Sequence, residues 1–187
     1  MEAILKREIV VSKTACRIIG AGAFIALTAM GAFVRIPLPF TPVPFTLQTF
    51  FVLLCGAFLG GGLGASTQAA YVLIGVAGVS VFTGAGSGLL YIFGPTGGYL
   101  LGFILAALFS GKFIRRVNGF IPTFLVLCAA DFIILSSGAV WLKLIFRSTW
   151  QSAALMGFAP FVMGDLTKAF IATAIYLKLK NRIREIF

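Results

Sequence analysis

Apolar residues run through this chain in blocks too long and too unbroken for the striped helices of a soluble domain. The first block covers residues 18–34, between Arg17 and Arg35. About 20 mostly apolar residues cross a bilayer core, so it predicts a first span. A cleaved signal peptide shares the basic start, but the polar lead here is long and further spans follow. Residues 36–45 read Ile-Pro-Leu-Pro-Phe-Thr-Pro-Val-Pro-Phe. Proline fixes φ and carries no N–H, so this stretch predicts a rigid extended loop. A second span is expected over 46–59 and a third over 63–79, with Gly60, Gly61 and Gly62 as a tight reversal between them. Residues 80–98, with glycines at 84, 86, 88, 94, 97 and 98, predict an irregular stretch. A fourth span follows over 99–110, a fifth over 120–142 and a sixth over 153–177. The pattern predicts an all-α polytopic membrane bundle of six transmembrane helices, built as one integral membrane domain over residues 1–187.

Composition excludes the soluble alternative. Hydrophobic residues make up 60% of the chain and charged ones 11%, against about 25% charged in ordinary soluble domains. Mean hydropathy is +1.07. Histidine is absent, which excludes His-based triads and His metal sites. The three cysteines, Cys16, Cys55 and Cys128, are widely spaced and fit apolar packing better than a disulfide framework or a metal site.

Lys and Arg total 15 against 5 Asp and Glu, a formal net charge of +10. Their positions matter more than their sum. Counting from an inner N-terminus, Lys6, Arg7, Lys13, Arg17, Lys112, Arg115, Arg116, Lys178, Lys180, Arg182 and Arg184 fall on one side. Arg35, Lys143 and Arg147 fall on the other. This asymmetry predicts cytoplasmic termini. Anionic inner-leaflet lipid accounts for the basic ends, with no nucleic acid partner. The same orientation sets both irregular segments, 35–46 and 80–98, on the outer face, as a mouth or lid over a cavity.

Three ionisable residues fall inside predicted spans: Asp131, Asp165 and Lys168. Such groups cost about 2.5–3.5 kcal/mol each on insertion scales and are functional candidates. Asp165 and Lys168 are three apart, hence on one helix face, and the predicted span sets Asp165 near the midplane. Two readings stay open: a buried ion pair that holds the bundle together, or a pair that a ligand splits by accepting from Lys168 and donating to Asp165. Gln48, Gln68, Thr46, Thr67 and Tyr71 add neutral polar groups that serve either as interhelical glue or as ligand contacts. The series Gly84-x-Gly86-x-Gly88 lacks a following Lys-Ser/Thr and a preceding strand, and no Walker A sequence occurs.

Several segments taken together resemble one family. They are Arg35-Ile-Pro-Leu-Pro with Pro42-Val-Pro-Phe-Thr-Leu-Gln48-Thr, Phe93-Gly-Pro-Thr-Gly-Gly-Tyr-Leu100, Gly138-x-x-Trp141-Leu and Gly164-Asp165-x-x-Lys168. In this order, over residues 18–178, they resemble the BioY family, the biotin-binding S-components of energy-coupling-factor (ECF) vitamin importers. The resemblance implies a non-enzymatic subunit without a cofactor, in the plasma membrane of a prokaryote, that captures biotin from outside. It also implies two kinds of partner, a membrane coupling subunit and two cytosolic ATPases. The implied site lies under the outer loops and includes Asp165 and Lys168. Asp165 would accept from a ureido N–H, and Lys168 would donate to an oxygen of the ligand. Gln48, Thr96, Gly97, Gly98 and Tyr99 from the matching motifs join the expected set, with Phe45 and Phe82 as apolar cover. Docking on the coupling subunit is implied for the small residues Gly22 and Ala26 of the first helix, where alanine is usual at both positions.

Rival readings fit the residues less well, and a structural or assembly protein with no ligand is disfavoured by the ionisable pair and the two irregular segments. The same fold serving another vitamin is disfavoured by the loop motifs. An intramembrane aspartyl protease would need glycine at position 162, where Val162 stands, and Lys168 one turn from Asp165 opposes a shared proton.

Overall fold

Several helix boundaries fall where glycine or proline interrupts the apolar runs, as at Gly60, Gly88, Gly119 and Pro160. The computed structural model describes residues 13–186, with side chains described to residue 181. Lys6 and Arg7, and the side chains of Arg182 and Arg184, lie outside the described residues. Helix α1 (Lys13–Phe33) leads into a two-residue antiparallel pair, β1 (Arg35–Ile36) and β2 (Phe45–Thr46). Arg35 stands opposite Thr46 and Ile36 opposite Phe45. The proline-rich loop is therefore pinched at its base, with all four prolines inside the pinch, where no ladder N–H is required.

Helices α2 (Gln48–Leu59) and α3 (Gly61–Val76) are separated by Gly60 alone, at φ +84°. The expected three-glycine reversal is thus a single residue, and Gly61 and Gly62 open α3. One turn of helix, α4 (Leu89–Ile92), interrupts the segment expected to be irregular, and Gly97 and Gly98 already belong to α5 (Gly97–Phe113). After a 3-10 turn at Ile114–Arg116 come α6 (Phe120–Phe146), α7 (Trp150–Gly157) and α8 (Val162–Ile186).

The chain is mostly helical. Among the described residues, three helices are long and apolar enough to cross a membrane: α1, α5 with its 3-10 extension, and α6. A fourth is added if α7 and α8, bent by 49°, count as one span. Helices α2 and α3, of 12 and 16 residues, reach about 18 and 24 Å at 1.5 Å per residue, short of a core about 30 Å thick.

The sixth span departs furthest from expectation. A continuous helix was expected over 153–177, but it breaks at residues 158–161. Pro160 is the cause. It has no N–H for the carbonyl of Met156, which instead accepts from Thr41 Oγ1 at 2.6 Å. The next carbonyl, Gly157, accepts from Tyr99 Oη at 2.6 Å. Side chains from the proline loop and from α5 thus satisfy the carbonyls that the broken ladder frees. Asp165 therefore sits in the first turn of α8, just past the break, and not inside one continuous helix.

Helix α5 is the centre of the bundle. Within its apolar window 61% of residues are buried, against 17% for α1. Gly102 allows close packing on α6: a Cβ there would come within 2.9 Å of the Ile134 Cα. Around this axis the core gathers Leu53, Tyr71, Phe103, Leu127 and Ile134.

Candidate functional site

Lys168 is buried in the second turn of α8 with all three ammonium hydrogens directed at acceptors. Its Nζ donates to Asp165 Oδ1 at 2.6 Å, to Thr49 Oγ1 at 2.9 Å and to the Thr46 carbonyl at 2.6 Å. Thr49 donates in turn to Asp165 Oδ1 at 3.2 Å. The Lys168 ammonium also lies 3.8 Å from the centre of the Phe45 ring, a cation–π contact. That ring reaches α8 because residue 164 is glycine; a Cβ at Gly164 would overlap it. Phe45 stacks on Phe161 on its way, with ring centroids 6.4 Å apart. The pair expected from sequence is thus one ion pair bound to β2 and the first turn of α2, and Asp165 at a helix N-terminus is further favoured by the helix dipole.

Thr46 and Thr49 continue this cluster into a cavity under the 35–46 and 80–98 segments. The cavity measures about 40 Å³ and is also lined by Gln48, Thr83, Tyr91, Thr96, Tyr99 and Phe103. Gln48 is held there through both its amide nitrogen and its amide oxygen. Its Nε2 donates to Tyr71 Oη at 2.7 Å, and its Oε1 accepts from Thr83 Oγ1 at 2.8 Å and Thr46 Oγ1 at 3.3 Å. Tyr71 passes the chain on to the Val81 carbonyl at 2.8 Å. Gln48 therefore ties α2 to α3 and to the 80–88 loop while facing the cavity.

The remaining expected residues divide. Thr96 and Tyr99 line the cavity. Phe82 lies behind it, fully buried and stacked on Tyr91 at 4.8 Å. Gly97 and Gly98 pack against Trp141 of α6, whose Nε1 donates to the Gly94 carbonyl at 3.0 Å. Gly22 and Ala26 lie on the exposed face of α1. Asp131 lines a second cavity of about 340 Å³ between α6 and α8, which it shares with Asp165. Its Oδ1 has no hydrogen-bond partner.

Thr49, Thr83 and Tyr91 were not foreseen. Threonine and tyrosine are ordinary within apolar helices, and only the approach of α8 and the folding-in of the 80–88 loop give these three their place. Arg35 is also adjacent. It pairs across from Thr46, and its Nη1 lies against Gly84, next to Thr83.

A sequence model described as the BioY family matches residues 6–185. This chain belongs to the BioY family. Among curated BioY relatives, the "Probable biotin transporter BioY" of Lysinibacillus sphaericus is 43% identical over 176 residues, covering 88% of this chain and 84% of that one. The "Biotin transporter BioY" of Thermotoga maritima is 40% identical over 165 residues, covering 88% and 96%. The fold is similar to a crystal structure of the S-component for biotin from an ECF-type ABC transporter, with a TM-score of 0.83. That likeness has 22% sequence identity and covers 88% of this chain and 90% of the other. It establishes the BioY chain's fold, that of a helical membrane protein.

Proposed function

We propose that this protein is the biotin-capture subunit of an ECF-type vitamin importer. The carrying observation is the buried Lys168–Asp165–Thr49 cluster at the edge of a cavity under the outer loops, in a chain whose relatives are named biotin transporters. Biotin offers two ureido N–H donors, one ureido carbonyl, an apolar thioether ring and a carboxylate. Asp165 accepts from a ureido N–H, and Lys168 exchanges its bond to the Thr46 carbonyl for one to a ligand oxygen. Tyr91, Tyr99 and Phe103 supply apolar walls for the thioether ring. Arg35, exposed at the base of the proline loop, is placed to meet the carboxylate from outside.

The wider reading is one integral membrane domain with six spans. It counts the short α2 and α3 as spans and α7 with α8 as one. Both termini are cytoplasmic, in the plasma membrane of a prokaryote. Ligand is bound and released unchanged, and a membrane coupling subunit with two cytosolic ATPases drives its passage. The exposed Gly22 and Ala26 face of α1 is the docking surface for that coupling subunit.

The test is biotin binding by the purified protein in detergent, wild type beside Lys168→Ala. Tight binding lost in the variant is the expected result. Tight binding kept in the variant would return Asp165 and Lys168 to a structural role, and no binding by well-folded wild type would remove biotin as the ligand.

A further inference from the structure

A groove of about 500 Å³ opens at the opposite end of the bundle from the biotin site. Arg17 of α1 and Arg115 of the 3-10 turn flank it, and Gly60, Gly61, Gly62 and Ser66 form its floor. The floor is backbone because the α2–α3 reversal is all glycine. Arg115 lies directly over Gly60, where a Cβ would come 3.0 Å from Nη2. Helix α3 has no side-chain cap, and its first ladder bond is from Gly64 N to the Gly60 carbonyl at 2.8 Å. The amides of Gly61, Gly62 and Leu63 therefore precede the ladder. Among the described residues, no carboxylate lines the groove. Among the described residues the one salt bridge is Lys168–Asp165, so neither arginine is engaged by a described acid.

Two guanidinium groups lining one polar groove suit a ligand with several anionic oxygens, as a phosphate has. A carboxylate would satisfy one fork only. Arg17 stands at the edge of the first apolar block, where basic residues meet lipid headgroups, and Leu59 and Leu63 border the groove as apolar shoulders. We propose that this Arg17–Arg115 groove binds the phosphate of an anionic lipid headgroup. A lipid held there would tie α1 to the α2–α3 reversal and to the α5–α6 turn.

The test uses the full chain purified in detergent. Its thermal unfolding is followed while phosphatidylglycerol, phosphatidylcholine or inorganic phosphate is added. Phosphatidylglycerol is expected to raise the midpoint and zwitterionic phosphatidylcholine to leave it unchanged. In Arg17→Gln/Arg115→Gln, the apparent affinity for phosphatidylglycerol should fall by about tenfold or more. Lys178→Gln/Lys180→Gln removes the same charge outside the groove and should keep the response. Gly62→Glu gives a variant that does not depend on losing arginines. A Cβ there meets nothing within 4 Å, and an acidic residue in a first helical turn favours the fold. Its carboxylate should occupy the groove, abolishing the lipid response without lowering the starting midpoint. Inorganic phosphate reproducing the shift would support the same phosphate site with a soluble source. The proposal is overturned if wild type responds to none of the phosphates. It is equally overturned if both groove variants respond as wild type does, or if the lysine pair abolishes the response as fully.

Discussion

Lys168 shows how a costly residue is made tolerable. Its three hydrogen bonds and the Phe45 ring replace the water that a lysine would otherwise demand. Asp165→Asn and Lys168→Ala are each expected to weaken biotin binding by about 1–3 kcal/mol, the range for leaving a buried polar partner unmatched. Titration of the purified variants reads this directly, and losses under about twofold in both would count against ligand contact. The apolar double substitution Asp165→Leu/Lys168→Met separates the two roles. Replacing a buried pair by apolar residues of similar size is often neutral for folding, so the thermal midpoint should hold while binding is lost. A fall in both together would make the pair chiefly a structural one. At this scale the sequence was informative because charge inside an apolar run is rare. Thr49 stayed hidden for the opposite reason: a threonine beside a glutamine carries no signal until α8 brings Lys168 against it.

Breaks, more than helices, decide where these side chains lie. The three helices long and apolar enough to cross a membrane were each legible as apolar runs. The interruption of the sixth expected span was missed although Pro160 stood in plain view, because the flanking residues are apolar enough to read as one block. Thr41 and Tyr99 hold the break from opposite sides, one from the proline loop and one from α5. Thr41→Val and Tyr99→Phe each strand a carbonyl. Each should cost about 1–3 kcal/mol of stability, read as a lower thermal midpoint and as weaker biotin binding, since the first turn of α8 loses its fixed position. Unchanged binding in both variants would mean that the turn is held by the Lys168 cluster alone. The proline loop itself was expected as an isolated extended segment. Its pinch at β1 and β2 depends on α1 and α2 meeting, which no local residue preference specifies.

Across the whole molecule, burial is uneven: α5 is enclosed and α1 lies largely outside the packed core. Gly22→Leu adds bulk to the outward face of α1, where a Cβ meets nothing within 4 Å. Binding of biotin should be unchanged and uptake with the complete transporter impaired; equal loss of both would remove α1 as the docking face. The family was legible because its motifs fall in the loops and helix ends, whereas the apolar runs over 46–59 and 63–79 did not reveal that α2 and α3 are shorter than a bilayer is thick. The cavity under the 35–46 and 80–98 segments carries a kinetic consequence. At about 40 Å³ it is far below the about 300 Å³ or more of an ordinary ligand pocket, so the loops must part before biotin enters. Capture should then run well below the diffusional ceiling of about 10⁸–10⁹ M⁻¹s⁻¹. Trp141, bonded to the Gly94 carbonyl, is a built-in reporter for stopped-flow fluorescence. The observed rate should level off at high biotin, where loop opening becomes the slow step, and the same gate would prolong the stay of each molecule once inside.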